Sequence, residues 1–340
     1  MEIDLKTVIF VQLLFELTAS IVCLISNFYF ASKFSRLRTF HPSFRRVLIT
    51  LHIVMSMTMI FHPILLLIPP DYYSVAKGRY HSASIFYCFM FIGNLLAILT
   101  TFKYLLIGWE RRIGFKYRTH YEHRGTSTAN WILFSGLLLT LIVTVLKCVL
   151  SFIFTVDMPI DDRLQFTFNI DQNEYAILTL LVISGAAYDF ALYEFWRLNK
   201  YVKDHYYTAN SLAESFTIKQ TSTIVNVLRP ILIAFAWSLV FFVVLQSAFV
   251  YFHFFRFFPM NSPLVTAILL SIYSIFMGYS IYATMIMIWE FKRVRKELIR
   301  DLRRLFGCEI VTQQVACTVS INNVVAREDH FRQLAEAWNK

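Results

Sequence analysis

The chain of 340 residues is 57% hydrophobic and 17% aromatic, with a mean hydropathy of +0.55, more apolar surface than a single aqueous core can hide. That excludes an ordinary soluble domain. The net charge of +10 gathers between apolar blocks, so it is a topology signal and an anionic-lipid contact rather than a nucleic-acid footprint.

Crossing a bilayer takes roughly 20 mostly apolar residues. In chain order the predicted spans are Val8–Ser32, Val47–Pro69, Ser84–Trp109, Trp131–Thr155, Tyr175–Trp196, Ile231–Phe255 and Leu264–Trp289. The first follows too few residues for a cleavable leader and is expected to act as a signal anchor. Pro42 and Pro230 fall near span ends, where helix termini tolerate them, whereas Pro63 is expected to kink the second span near Phe61-His62. Basic residues set the orientation. Lys33, Arg36, Arg38, Arg45 and Arg46 follow the first span, Arg111 to Arg124 the third, Arg197 to Arg229 the fifth, and ten more lie beyond Trp289. Together they put 25 of the 32 Lys and Arg on one side. With positive charge cytoplasmic, the N-terminus is outside and the C-terminus inside.

The inner end of the third span carries Trp109-Glu110-Arg111-Arg112. There a carboxylate can hold a guanidinium at rest and release it to a partner; an alternative is a basic helix end reaching anionic headgroups. Intramembrane charge is expensive and so marks Lys103 and Asp189, which are expected to pair unless Lys103 extends to the inner surface. Lys147 is expected to reach headgroups and Glu194 the cytosolic interface. His62, Tyr87, Gln246 and Tyr273, among many Phe and Met in the outer halves, are candidate contacts for a small organic ligand, with helix packing as the alternative. After the seventh span, Phe291, Val294, Leu298, Leu302, Leu305 and Phe306 recur at helical spacing among basic residues. They predict a short amphipathic eighth helix on the inner leaflet, with Cys308 as a lipidation candidate.

The expected fold class is therefore an all-α membrane protein, a seven-transmembrane helix bundle with that eighth helix. Its parts are the bundle at 1–289, the juxtamembrane helix at 290–306 and a flexible cytoplasmic tail at 307–340. His-Glu-x-x-His, paired-Asp and Gly-x-Ser-x-Gly motifs are lacking, as is any metal-ligand spacing. No catalytic residue, cofactor or metal is expected.

Three stretches carry a family resemblance. Glu110-Arg111 followed by Tyr121-Glu122 resembles a Glu-Arg-x-x-Ala-Thr…Tyr-Glu pattern, with Gly114 and Phe115 departing from it. Leu212-Ala-Glu-Ser-Phe216-Thr-Ile-Lys219-Gln-Thr221 is similar to a Leu-Ser-x-Arg-Tyr/Phe-Gln-x-x-Glu-Asn stretch before span six, with Ser215, Thr217, Gln220 and Thr221 departing. His41-Pro42 is similar to a short His-Pro segment in the first inner loop. The chain in these places resembles the nematode seven-transmembrane chemosensory receptors, most closely serpentine receptor class epsilon, with classes alpha, beta and alpha-beta as relatives. The resemblance implies a G-protein-coupled chemosensory receptor of the plasma membrane, on sensory-neuron cilia. It would take a small-molecule ligand and couple to a heterotrimeric G protein through Glu110, Arg111, Arg112, Tyr121, Glu122 and Lys219. A ligand-gated channel or transporter of the same topology is the alternative, and a receptor-like protein without its own ligand is a third.

Overall fold

The computed structural model describes residues 5–37, 39–117, 125–168, 174–205, 212–254 and 263–306, although not every side chain within them. Ten α-helices lie among the described residues: α1 (Leu5–Ser35), α2 (Pro42–Leu67), α3 (Tyr80–Thr101), α4 (Lys103–Lys116), α5 (Ser127–Phe154), α6 (Ile160–Phe168), α7 (Glu174–His205), α8 (Leu212–Phe254), α9 (Pro263–Glu290) and α10 (Lys292–Leu305). Residues 1–291 form one compact unit and 292–340 another. In the first unit, α1, α2, α5, α7, α8 and α9 are six passes and α3 with α4 is the seventh. Five passes qualify as membrane spans on length and composition among the described residues, those of α1, α2, α3, α5 and α8; α7 and α9 are 32 and 28 residues long.

Burial is arranged as a membrane demands. Helix α5 turns Gly136, Thr140, Thr144 and Cys148 inward at four-residue spacing, and points Trp131, Phe134, Ile142, Leu146 and Ile153 outward. The buried face is smaller and more polar than the exposed one. In lipid this is the favourable sense, because small residues let helices approach while bulky apolar ones meet acyl chains. Gly136 shows how close the approach is: a Cβ there would lie 2.7 Å from Leu106 Cδ1 of α4. Polar side chains add interhelical bonds: Cys23 Sγ meets Ser280 Oγ at 2.9 Å, and the Thr284 hydroxyl donates to Asn27 Oδ1.

The third pass is central. Helix α4 packs on α2, α5, α7 and α8, while α9 packs on both α1 and α8. The expected unbroken span is interrupted at Phe102, between α3 and α4. Thr100 and Thr101 donate to the carbonyls of Leu96 and Ile98 at 2.9 and 2.7 Å, back-bonding that bends helices. One other expectation is corrected. The sixth pass does not begin at Ile231: α8 runs unbroken through Pro230 for 43 residues. Pro63 lies inside α2, which continues through it to Leu67.

Helix α6, in the loop between α5 and α7, was not expected. Pro159 precedes it, and Asp161 and Asp162 fill its first turn, where negative charge suits the helix dipole. It ties down one end of the bundle, called below the α6 end. Lys147 Nζ donates to Thr167 O (3.0 Å) and Asn94 Oδ1 (3.3 Å), and Asn94 Nδ2 donates to Phe168 O at 2.6 Å. Lys147 is thus spent on α6 rather than on headgroups. Arg163 closes the end of α5 by donating from Nε and Nη2 to Phe152 O. Asp161 accepts from the Ser74 hydroxyl and from the Val75 backbone N–H (2.6 Å), fastening loop 68–79 to α6. Burial pushes the Asp161 carboxyl up, but the Ser74, Val75 and Ala76 hydrogen bonds and nearby Lys77 outweigh it, leaving it below the usual range.

Three outcomes are expected. Gly136→Leu should lower the thermal midpoint in detergent by the equivalent of about 1–3 kcal/mol through overpacking against Leu106. Gly185→Ala, whose added Cβ meets nothing within 4 Å, should leave the midpoint unchanged or raise it. Asp161→Asn should be less stable than the parent above pH about 4, where the parent's carboxylate is ionised in both folded and unfolded chains. A midpoint titration should show the gap closing as the pH falls through the lower folded-state value.

Candidate functional site

At the end of the bundle opposite α6, the last turns of α4 carry the predicted motif, and the fold buries two of its three charges completely. Glu110 and Arg111 are both 0% exposed. Arg111 grips its neighbour with two hydrogen bonds, from Nε to Oε2 and from Nη2 to Oε1 (2.7 Å). A bidentate fork of this kind is among the strongest pairings available to a side chain. The remaining terminal nitrogen, Nη1, donates to Gln220 Oε1 of α8 at 3.0 Å. Gln220 Nε2 then donates to Thr39 O in the loop between α1 and α2, at 2.9 Å. The Phe44 ring of α2 covers the guanidinium, with Cζ 4.4 Å from its centroid. One arginine thereby joins α4, α8, α2 and the 36–41 loop.

That loop is held by its own chemistry. His41 caps α2, its Nδ1 accepting from the Ser43 N–H at 3.2 Å, and Pro42 takes the first helical position, where its missing N–H is no loss. Arg45 Nη1 donates to Ser35 O at the end of α1 (2.6 Å). Beneath lies an aromatic cluster of Phe30, Phe34, Phe40, Phe44 and Phe291, all buried, with Phe34 and Phe291 centroids 5.0 Å apart. His41-Pro42 is thus a helix-start device that places Phe44 and Thr39 against Arg111.

Arg112 points elsewhere. Its Nη1 meets Glu194 Oε1 of α7 at 2.6 Å; the arginine side chain is 48% exposed and the carboxylate 6%. Glu194 therefore pairs within the bundle rather than reaching the interface alone. Gly108 of α4 lies against the same residue: a Cβ there would sit in ordinary contact, 3.4 Å from Glu194 Cβ.

The other predicted residues divide. Lys219 lies on α8 beside Gln220 but faces outward. Tyr121, Glu122 and Cys308 lie outside the described residues, as do the side chains of His62 and Tyr273. Tyr87 is buried on α3 in a cluster with Ala83, Phe86 and Met90, and its ring meets Phe168 of α6 at 5.4 Å. Gln246 is buried on α8. Among the described residues, neither Tyr87 Oη nor Gln246 Oε1 has a hydrogen-bond partner.

The expected Lys103–Asp189 pair does not form. Lys103 is 1% exposed at the start of α4, with Nζ 3.4 Å from His52 Nε2 and 3.5 Å from Met55 Sδ of α2, so it does not extend to the surface either. Asp189 is exposed on α7. The next residue, Tyr104, hydrogen-bonds Tyr279 of α9 through their hydroxyls. Residue-by-residue reading also missed Gln220, Phe44 and Thr39 as partners of Arg111.

Seven helical passes around a central third pass, with a buried acid–arginine pair at one end of that pass, define a multi-pass seven-transmembrane protein of the receptor type. The profile of the serpentine type 7TM GPCR receptor class ab chemoreceptors matches residues 2–314, nearly the whole chain. The chain belongs to that family. The match is to class ab, one of the related classes, rather than to class epsilon. Comparison with curated proteins finds no match.

If Arg111 depends on Glu110, a double-mutant cycle will show it. Glu110→Ala leaves a buried guanidinium uncompensated and should cost about 3–5 kcal/mol of stability. Adding Arg111→Ala should restore much of that loss, a coupling readable from thermal midpoints.

Proposed function

We propose that the chain is a chemosensory G-protein-coupled receptor in which the enclosure of Arg111 is the resting latch. The observation that carries this reading is the Nη1 bond to Gln220. It makes one arginine hold α4, α8 and the 36–41 loop together at a single end of the bundle. The basic-residue asymmetry supports placing that end in the cytosol, with the N-terminus and α6 outside. A small organic ligand taken up between the outer halves, near Tyr87 and Gln246, favours a packing in which α4 and α8 separate. Arg111 then reaches a heterotrimeric G protein, with Arg112 and Lys219 at the rim and Tyr121-Glu122 in the adjoining loop. Helix α10 lies along the inner leaflet with Leu302, Leu305 and Phe306 in lipid, and Cys308 beyond it is a palmitoylation site. The cell location is the plasma membrane of a sensory-neuron cilium, as the family resemblance implies.

Loss of a hydrogen bond to a charged group shifts an equilibrium by roughly 1.5–3 kcal/mol. Gln220→Ala should therefore raise agonist-independent G-protein activation by about tenfold or more in cells, at unchanged surface expression. Arg111→Ala should be silent at the same expression. Equal activity in parent and both variants would remove the latch from this account, and ionic current in cells lacking G proteins would put a channel in its place.

A further inference from the structure

On the outside of the bundle, α8 and α9 leave a groove of about 430 Å³ between them. Its walls are the rings of Trp237, Phe241 and Tyr282, and its floor is formed in part by Ala234, Gly278 and Tyr279. A Cβ on Gly278 would meet nothing within 4 Å, so the floor is open to an occupant. Two of the polar groups along it already have partners: Ser238 donates to Ala234 O at 3.0 Å, and Tyr279 is bonded to Tyr104. An apolar, chain-like occupant suits such a lining better than one that needs hydrogen bonds.

The exposed face of α8 that feeds the groove changes character at one point. Thr223, Asn226 and Arg229 are exposed at three-residue spacing; beyond Pro230 the same face continues as Ile233, Trp237, Val240 and Val244, all exposed. Three polar positions, one cationic, cover about 9 Å of helix at ~1.5 Å per residue and then give way to a wholly apolar run. Arg229 makes no ion pair among the described residues. Thr223 already donates to Lys219 O at 3.0 Å, so the sequence of groups is that of an amphiphile laid along the helix, with an anionic, hydrogen-bonding head at Asn226–Arg229 and an acyl chain from Pro230 onward. A sterol hydroxyl would leave the Arg229 charge without a counter-charge.

We propose that this groove is a binding site for an anionic phospholipid of the leaflet on the Arg229 side, its phosphate on Arg229 and one acyl chain between α8 and α9. Any lipid can touch an exposed apolar face; the concave floor and the cation at its mouth select this one over its zwitterionic neighbours. The proposal requires only that α8 and α9 cross the membrane and is independent of G-protein coupling.

The test uses the full-length protein in nanodiscs and brominated acyl chains, which quench nearby tryptophan. Trp237 lies in the groove wall at 61% exposure, and its signal is the difference between parent and Trp237→Phe. Replacing brominated phosphatidylcholine by brominated phosphatidylserine should reveal a preference of about fivefold at Trp237, the worth of one basic residue at a membrane surface. Arg229→Gln should bring the preference to about one, and Arg229→Lys should keep it. No preference in the parent, or a preference surviving Arg229→Gln, would overturn the site. So would a brominated fatty acid competing as well as phosphatidylserine, which would make the occupant a simple carboxylate amphiphile. A Trp237 quenched by no lipid at all would mean that a protein neighbour covers the groove.

Discussion

A guanidinium in a membrane protein's interior must be given a counter-charge and enough acceptors to replace its water, and it cannot escape by losing its proton. Arg111 is the fully buried case here, and much of its end of the bundle is organised by that demand. Glu110 supplies charge, Gln220 an acceptor and Phe44 an aromatic face, each from a different stretch of chain. Those suppliers are themselves fixed: Phe44 by the His41-Pro42 helix start and the aromatic cluster around it, Gln220 by its second bond to Thr39. Pairing with the adjacent Glu110 alone could be met within α4. The bond to Gln220 makes the arrangement a property of the whole bundle end.

The third pass carries a second polar level at its break. Lys103 opens α4 against His52 of α2, and Tyr104 bonds to Tyr279 of α9 on the far side of the core. Phe235 of α8 packs on both tyrosines, with centroids 5.7 Å from Tyr104 and 5.2 Å from Tyr279. Interhelical polar contacts of this kind are worth only about 0.6 kcal/mol on average in lipid, so they orient the helices more than they bind them. The break at Phe102 places this level at the junction of α3 and α4.

The seven passes were legible in the sequence because a bilayer imposes a length on apolar runs that little else imposes. Rotation about each helix axis was harder to read, and there the expectations failed. Asp189 was preferred to Glu194 as an internal partner because it is deeper, yet depth says nothing about direction. Ala187 and Ala191 are buried, and Glu194 and Leu198 continue their three-and-four spacing; Asp189 is about 200° around from Ala187 at 100° per residue and must face out. The small-residue stripe was the signal that could have placed both acids. Gln220 was passed over because it departs from a family pattern, although a departure at a buried position changes a partner rather than removing one. Pro230 lies within α8, since one missing hydrogen bond does not end a helix whose neighbours hold it on both sides.

Arg111 and Arg112 are consecutive, and about 100° of helical rotation gives them opposite physical characters. The Arg112–Glu194 pair is half exposed on the arginine side, where solvent and salt weaken it, but Glu194 is buried and opening the pair would leave its carboxylate uncompensated. Arg111 is sealed from both solvent and salt, and a fully buried pair is screened much less by salt. For Arg111 to leave Glu110, the acceptors it loses must be replaced as it moves, since a bare guanidinium at that depth costs several kcal/mol. A helix C-terminus provides what is needed, a cluster of unpaired carbonyls at the negative end of a dipole. Under the proposed coupling, a partner therefore has to bring its acceptors to the arginine rather than wait for the arginine to emerge.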